Sequence, residues 1–88
     1  EPLMAKAVLF EKEARQALKK MARPTAIRIV EKVEQYAADP ASLASQVKQL
    51  ASDRRKRLRV GSWRVLFVED ATSVAVLDVR SRGSAYKV

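Results

Sequence analysis

"RKRLRVGSWRVLFVE", residues 55–69, alternates charge and hydrocarbon on either side of a Gly-Ser pair. A glycine followed by a small polar residue suits a two-residue type II′ hairpin turn, so Gly61-Ser62 predicts two antiparallel strands. That turn sets Val60 opposite Trp63, Arg59 opposite Arg64, Leu58 opposite Val65 and Arg57 opposite Leu66. Side chains of a strand alternate between faces. One face then carries Leu58, Val60, Trp63, Val65 and Phe67, a core. The other carries Arg55, Arg57, Arg59 and Arg64. Arg59 directly across from Arg64 is a like-charge pair, unfavourable by some tenths of a kcal/mol to about 1.

Such density asks for a reason. Six Lys or Arg fall between residues 54 and 64. Solvated arginines on the open face of an antiparallel sheet would be the plain account. The opposed pair favours another, an anion site whose repulsion is relieved when phosphate arrives. Arginine suits phosphate because its planar fork donates bidentately and stays charged at any working pH.

Outward from the hairpin, "VAVLDV" (74–79) follows a "DATS" turn (70–73) and reads as a further strand. Strict alternation from that turn pairs residue 64 with 79 and points Arg80 into the core, so a bulge or a strand end must turn it. Upstream, "AKAVLF" (5–10) reads as a first strand. In "EKEARQALKKMA" (11–22), Ala14, Ala17, Leu18 and Met21 fall on one helical face, with acids at the start and lysines at the end, as the helix dipole prefers. After "RPT" (23–25), Ile27, Val30, Val33, Tyr36 and Ala37 keep helical spacing until "ADP" (38–40) stops a second helix. "ASLASQVKQLAS" (41–52) fits either a helical turn or a loop that tucks Val47 and Leu50 under the domain. The order β-α-α-β-β-β predicts one α+β domain over residues 1–88, with a two-helix hairpin packed on one face of an antiparallel sheet.

Composition narrows the chemistry. The 88 residues carry a formal net charge of +8, which favours a polyanionic partner, nucleic acid before an acidic protein or an anionic membrane. There is no cysteine and no histidine. Thiolate nucleophiles, disulfides, the commonest metal ligand and the commonest general base are therefore missing, and neither metal nor cofactor is expected. No apolar run is long enough to span a membrane. The apolar start is too short for a signal peptide and lacks a basic flank. A cytoplasmic setting is expected, which the absence of cysteine fits.

"LRVGSWRVLFVED", the valine-rich strand after it and "RSRGSAYK" resemble the RelE/ParE toxins of bacterial type II toxin–antitoxin modules, as do "FEKEARQALKKM", "VEQYAADP" and "VKQL". The likeness covers nearly the whole chain and implies the microbial-ribonuclease-type fold of RelE. It implies a ribosome-dependent mRNA endonuclease, or alternatively a ParE-like inhibitor of DNA gyrase without nuclease activity. A catalytically silent RNA-binding homologue is a third possibility. By the resemblance Arg64 contacts the scissile phosphate, Arg80 is a second active-site arginine, and Tyr86 orients or stacks on an mRNA base. Arg55 and Arg57 stand where RelE-type enzymes have lysines assigned to proton transfer, a departure, since guanidinium is a poor proton acceptor. Lys56, Arg59, Arg82 and Lys87 complete the expected phosphate contacts. The implied partners are mRNA on the 70S ribosome, or gyrase under the alternative, and a small, acidic antitoxin partly disordered alone.

The chemistry needs no metal. RNA can be cut by attack of its own 2′-hydroxyl on the adjacent phosphorus, so a protein must position the chain, offset phosphorane charge and assist two proton transfers. For the last task the sequence offers Tyr86, Lys56, Lys87 or a ribosomal group. Trp63 and Tyr36 read as core rather than as base-stacking platforms.

Overall fold

The structure, a computed structural model, describes residues 6–50 and 54–81. Its centre is the hairpin. Strands β3 (Lys56–Val60) and β4 (Trp63–Glu69) pair in the expected register, with Leu58 opposite Val65, Arg59 opposite Arg64 and Val60 opposite Trp63. Gly61 has φ 59° and no other described residue has a positive φ, so the turn is of the II′ kind. A Cβ at Gly61 would meet nothing within 4 Å. The glycine is therefore required by backbone conformation, not by crowding.

Around the hairpin the sheet runs β1-β5-β4-β3-β2, with β1 at Ala7–Phe10, β2 at Val47–Gln49 and β5 at Ser73–Ser81. Strands β2 to β5 form an antiparallel meander. Strand β1 differs from expectation, because it lies parallel to β5. The reason is connectivity. Two helices carry the chain from β1 to the far edge at β2, and the three antiparallel reversals that follow bring β5 back alongside β1 in the same direction. The sheet is mixed, and the fold remains α+β.

Helix α1 (Lys12–Lys20) and helix α2 (Arg23–Ala38) cover one face of the sheet. Pro24 sits in the first turn of α2, where its missing N–H is harmless, so the break between helices falls at Met21-Ala22. Ala14 of α1 is buried, with Ala17, Leu18 and Met21 packed around the core as the spacing predicts. The buried face of α2 is Ile29, Val33, Tyr36 and Ala37; Ile27, expected on it, is 49% exposed. Spacing of i, i+4, i+7, i+8 is as helical as the expected series, so periodicity alone could not choose between the two isoleucines. The ambiguous stretch after α2 becomes a 3₁₀ helix (Pro40–Gln46), whose Leu43 is buried, leading directly into β2. Val47 lies opposite Leu58 and packs against the core.

The largest fully buried side chains include Phe67, Ile29, Leu58, Val65, Val74 and Val76. Burial of each such group contributes about 1.5–3 kcal/mol. Tyr36 meets Phe67 edge to face, with ring centroids 5.1 Å apart. No helix among the described residues is long and apolar enough to cross a membrane.

Candidate nucleic-acid interface

Helices cover one side of the sheet, and the arginines take the other. Directly paired residues share a face. Arg59 pairs with Arg64 across β3 and β4, and Arg64 pairs with Arg80 across β4 and β5. Three arginines thus stand side by side over three strands, a row about 10 Å long at the usual strand spacing. The next row on this face is Lys48, Arg57, Leu66 and Asp78. A depression of about 230 Å³ lies where the rows meet the 3₁₀ helix, lined by Ser45, Gln46, Val47, Lys48, Arg57, Arg59 and Arg64. A smaller one of about 100 Å³ at the turn is lined by Arg59, Gly61, Ser62 and Arg64.

Arg80 reaches this row because β5 carries a bulge. Leu66 pairs with Asp78 but Phe67 pairs with Val76, leaving Leu77 without a partner on β4. One extra residue reverses the alternation beyond it. Val79 is buried, and Arg80 turns outward beside Arg64. Of the two devices that the sequence required, a bulge or a strand end, the structure uses the bulge. Arg80 donates from Nε to Asp78 Oδ2 at 2.9 Å.

Lys56 is corrected. Expected among the phosphate contacts, it pairs with Phe67 and therefore belongs to the helix-covered face. There its Nζ donates to Glu69 Oε2 at 2.5 Å, while Lys6 donates to Oε1 at 2.7 Å and the Tyr36 hydroxyl to Oε2 at 2.5 Å. Burial works to raise the pKa of Glu69, but the hydrogen bonds from Lys56, Lys6 and Tyr36 outweigh it and bring it down to about 2. Burial first, then the hydrogen bond and charge of Glu69, push the Tyr36 phenol above its ordinary value. This cluster ties the residue ahead of β1 to α2, β3 and β4, and it is remote in orientation from the arginine row.

Lys48 is the residue that sequence reasoning missed. It joins the cationic face only because Val47–Gln49 forms a strand in register with β3, placing Lys48 opposite Arg57. The available signal was the alternation of Val47, Lys48 and Gln49, too short to distinguish from a loop. Arg55 is exposed just ahead of β3. Arg82, Tyr86 and Lys87 lie outside the described residues. Trp63 is half-buried against the core, as its strand face requires. Among the described residues no group of three or more His, Cys, Asp or Glu could hold a metal ion.

The arrangement can hold a polyanion along three strands, with guanidinium forks for the phosphates and hydroxyl and amide groups at one end. Comparison with known proteins bears on what that polyanion is. Residues 8–86 match the family model described as the ParE toxin of the type II toxin–antitoxin system parDE. No curated protein sequence is similar enough to match. Among solved structures, the chain is similar to the toxin–antitoxin complex RelBE2 from Mycobacterium tuberculosis, with a TM-score of 0.76, 25% identity and coverage of 90% of this chain and 100% of that one. It superposes on the archaeal RelE–RelB complex from Pyrococcus horikoshii OT3 with a TM-score of 0.75 at 21% identity, covering 91% and 98%. The DinJ–YafQ toxin–antitoxin complex of E. coli gives 0.68 at 4% identity, covering 96% and 100%. At such low identities the last two report a shared fold.

Proposed function

The chain belongs to the ParE toxin family of type II toxin–antitoxin modules, and from that premise we propose that it is an endoribonuclease toxin that cuts mRNA at the ribosome. The observation that carries the reading is the row Arg59, Arg64, Arg80. Charges forced side by side on an otherwise regular sheet are unfavourable without an anion and complementary to a phosphodiester chain.

In this mechanism the 2′-hydroxyl of the bound RNA attacks the neighbouring phosphorus, giving a 2′,3′-cyclic phosphate and a free 5′-hydroxyl. Arg64 and Arg80 receive the non-bridging oxygens and stabilise the phosphorane, whose extra negative charge they meet at close range. Arg57 and Arg59 steer and hold the flanking backbone, with Arg55 and Arg82 as further phosphate contacts. Proton transfer does not fall to the guanidiniums, which do not release protons in the working range. Tyr86 and Lys87 remain candidates from the sequence, and Lys48, on the arginine face opposite Arg57, is a further one. Lys56 has no part in the chemistry, since its ammonium is engaged by Glu69 on the opposite face.

A cognate antitoxin is the expected partner, as in the complexes of the similar proteins. An acidic segment, partly disordered alone, would offset the arginines as it folds onto the domain. The description of the matching family model favours one second reading, inhibition of DNA gyrase without RNA cleavage.

One experiment separates them. The chain is induced in cells lacking the antitoxin, and mRNA 5′ ends are mapped while plasmid supercoiling and DNA breakage are followed. Cuts at fixed codon positions that vanish with Arg64→Ala are expected. Intact mRNA with broken DNA would sink the nuclease reading and support gyrase.

A further inference from the structure

One acidic side chain stands in the two cationic rows, and it is held at both oxygens. Asp78 Oδ1 accepts the backbone N–H of Val79 at 2.8 Å, and Oδ2 accepts Arg80 Nε at 2.9 Å. The first contact fixes the carboxylate against its own strand. The second fixes the plane of the Arg80 guanidinium. A guanidinium engaged at Nε keeps its two Nη groups, and that pair can still take a phosphate bidentately. The Asp78 side chain is 25% exposed and that of Arg80 is 52% exposed, so the pair is wet and of little consequence for stability. A carboxylate on a face that binds polyanions lowers the local potential, which makes its placement there unfavourable unless it does something else.

We infer that Asp78 is a positioning residue for Arg80, presenting its Nη edge beside Arg64 so that two opposed guanidiniums address one phosphate. The inference rests on the reading that the arginine row binds RNA. Geometry supplies the rest. Arg80 follows the bulge at Leu77, where strand regularity is broken, and its side chain has more freedom than that of half-buried Arg64. A hydrogen bond from Nε removes that freedom before the ligand arrives, so less ordering is left for binding to offset.

The sign of one substitution decides the matter. Simple electrostatics says that Asp78→Asn removes a negative charge and tightens RNA binding. A positioning role says the opposite. The purified chain is titrated with a short single-stranded oligoribonucleotide whose 2′-hydroxyls are methylated to prevent cleavage, over a range of salt. Asp78→Asn retains a carbonyl for Val79, and its melting temperature should match that of the wild type. It is expected to weaken binding roughly three- to tenfold, the worth of one well-placed hydrogen bond, and to lower the salt slope by up to about one. In an Arg80→Ala background the same substitution should no longer weaken binding, leaving only the slight tightening that loss of a negative charge brings. In Arg80→Lys, which has no guanidinium plane for Asp78 to fix, the substitution should likewise not weaken binding.

Equal or tighter binding by Asp78→Asn, with Arg64→Ala and Arg80→Ala both weakened, would overturn the positioning role alone. Affinity indifferent to Arg64→Ala and Arg80→Ala would overturn the RNA reading beneath it.

Discussion

Arg64 and Arg80 stand directly opposite each other on adjacent strands because Leu77 has no partner on β4. Were Leu77 instead paired in the regular ladder, strand alternation would direct Arg80 towards the core, where a charge is costly. The bulge therefore decides whether the sheet carries a pair of arginines or a row of three.

The row should oppose stability and favour binding. Arg59 is exposed and faces Arg64. Replacing it with glutamine removes one like-charge contact, so Arg59→Gln is expected to stabilise the fold by some tenths of a kcal/mol to about 1. For a domain of this size that raises the melting temperature by about 2–6 °C. The same variant should bind RNA more weakly, with a salt slope reduced by about one. Calorimetry and a salt titration test the two halves separately, and a variant that is neither more stable nor weaker in binding refutes the account.

Deletion of Leu77 makes a second test. The remaining residues Val76, Asp78, Val79 and Arg80 would then alternate without interruption, and each keeps its present partner on β4. A folded protein that still binds RNA is expected, since Leu77 is the residue that the ladder leaves over. Inserting an alanine between Val79 and Arg80 should instead turn Arg80 inward and abolish binding. Circular dichroism with the same RNA titration distinguishes these outcomes. Loss of the fold in the deletion would show that Leu77 does more than fill the bulge.

Glu69 predicts a pH dependence on the acid side. Its folded pKa of about 2 lies below the ordinary value of 4.5. The unfolded chain therefore binds the proton more readily, and the contribution is present above about pH 4.5 and is lost as pH falls towards 2. At most this amounts to about 3 kcal/mol. Tyr36 acts at the other end. Its raised pKa means that the unfolded phenol ionises first, so stability falls as pH rises past about 10. Glu69→Gln should flatten the acid limb of a denaturant-derived stability profile and lower stability at neutral pH. An unchanged acid limb would remove Glu69 from the explanation.

Much of the cationic face was legible in the residues alone. Alternation around Gly61-Ser62 is enough to separate Leu58, Val60, Trp63, Val65 and Phe67 from Arg57, Arg59 and Arg64, because a two-residue turn fixes register and period two does the rest. The helices were legible as amphipathic segments. Their facing was less so, as Ile27 shows, because neighbouring apolar residues at 27, 29 and 30 permit more than one helical stripe. Lys56 misled for a related reason. A lysine inside a basic run looks like its neighbours, although alternation already sets it on the face of Leu58 and Val60; its partner Glu69 is what only the structure shows.

By itself, then, the sequence determined the hairpin, its charged and apolar faces, the two helices and the absence of histidine and cysteine chemistry. These are properties of short spans, where turn type and periodicity act over a few residues. Tertiary structure decided what depends on residues far apart in the chain. It set β1 parallel to β5, brought Lys48 onto the arginine face, gave Lys56 to Glu69 sixty-three residues from that carboxylate's other lysine, Lys6, and turned Arg80 outward at the bulge. Strand order, and register beyond the hairpin, are chosen by the packing of the whole core, and no local pattern carries that information.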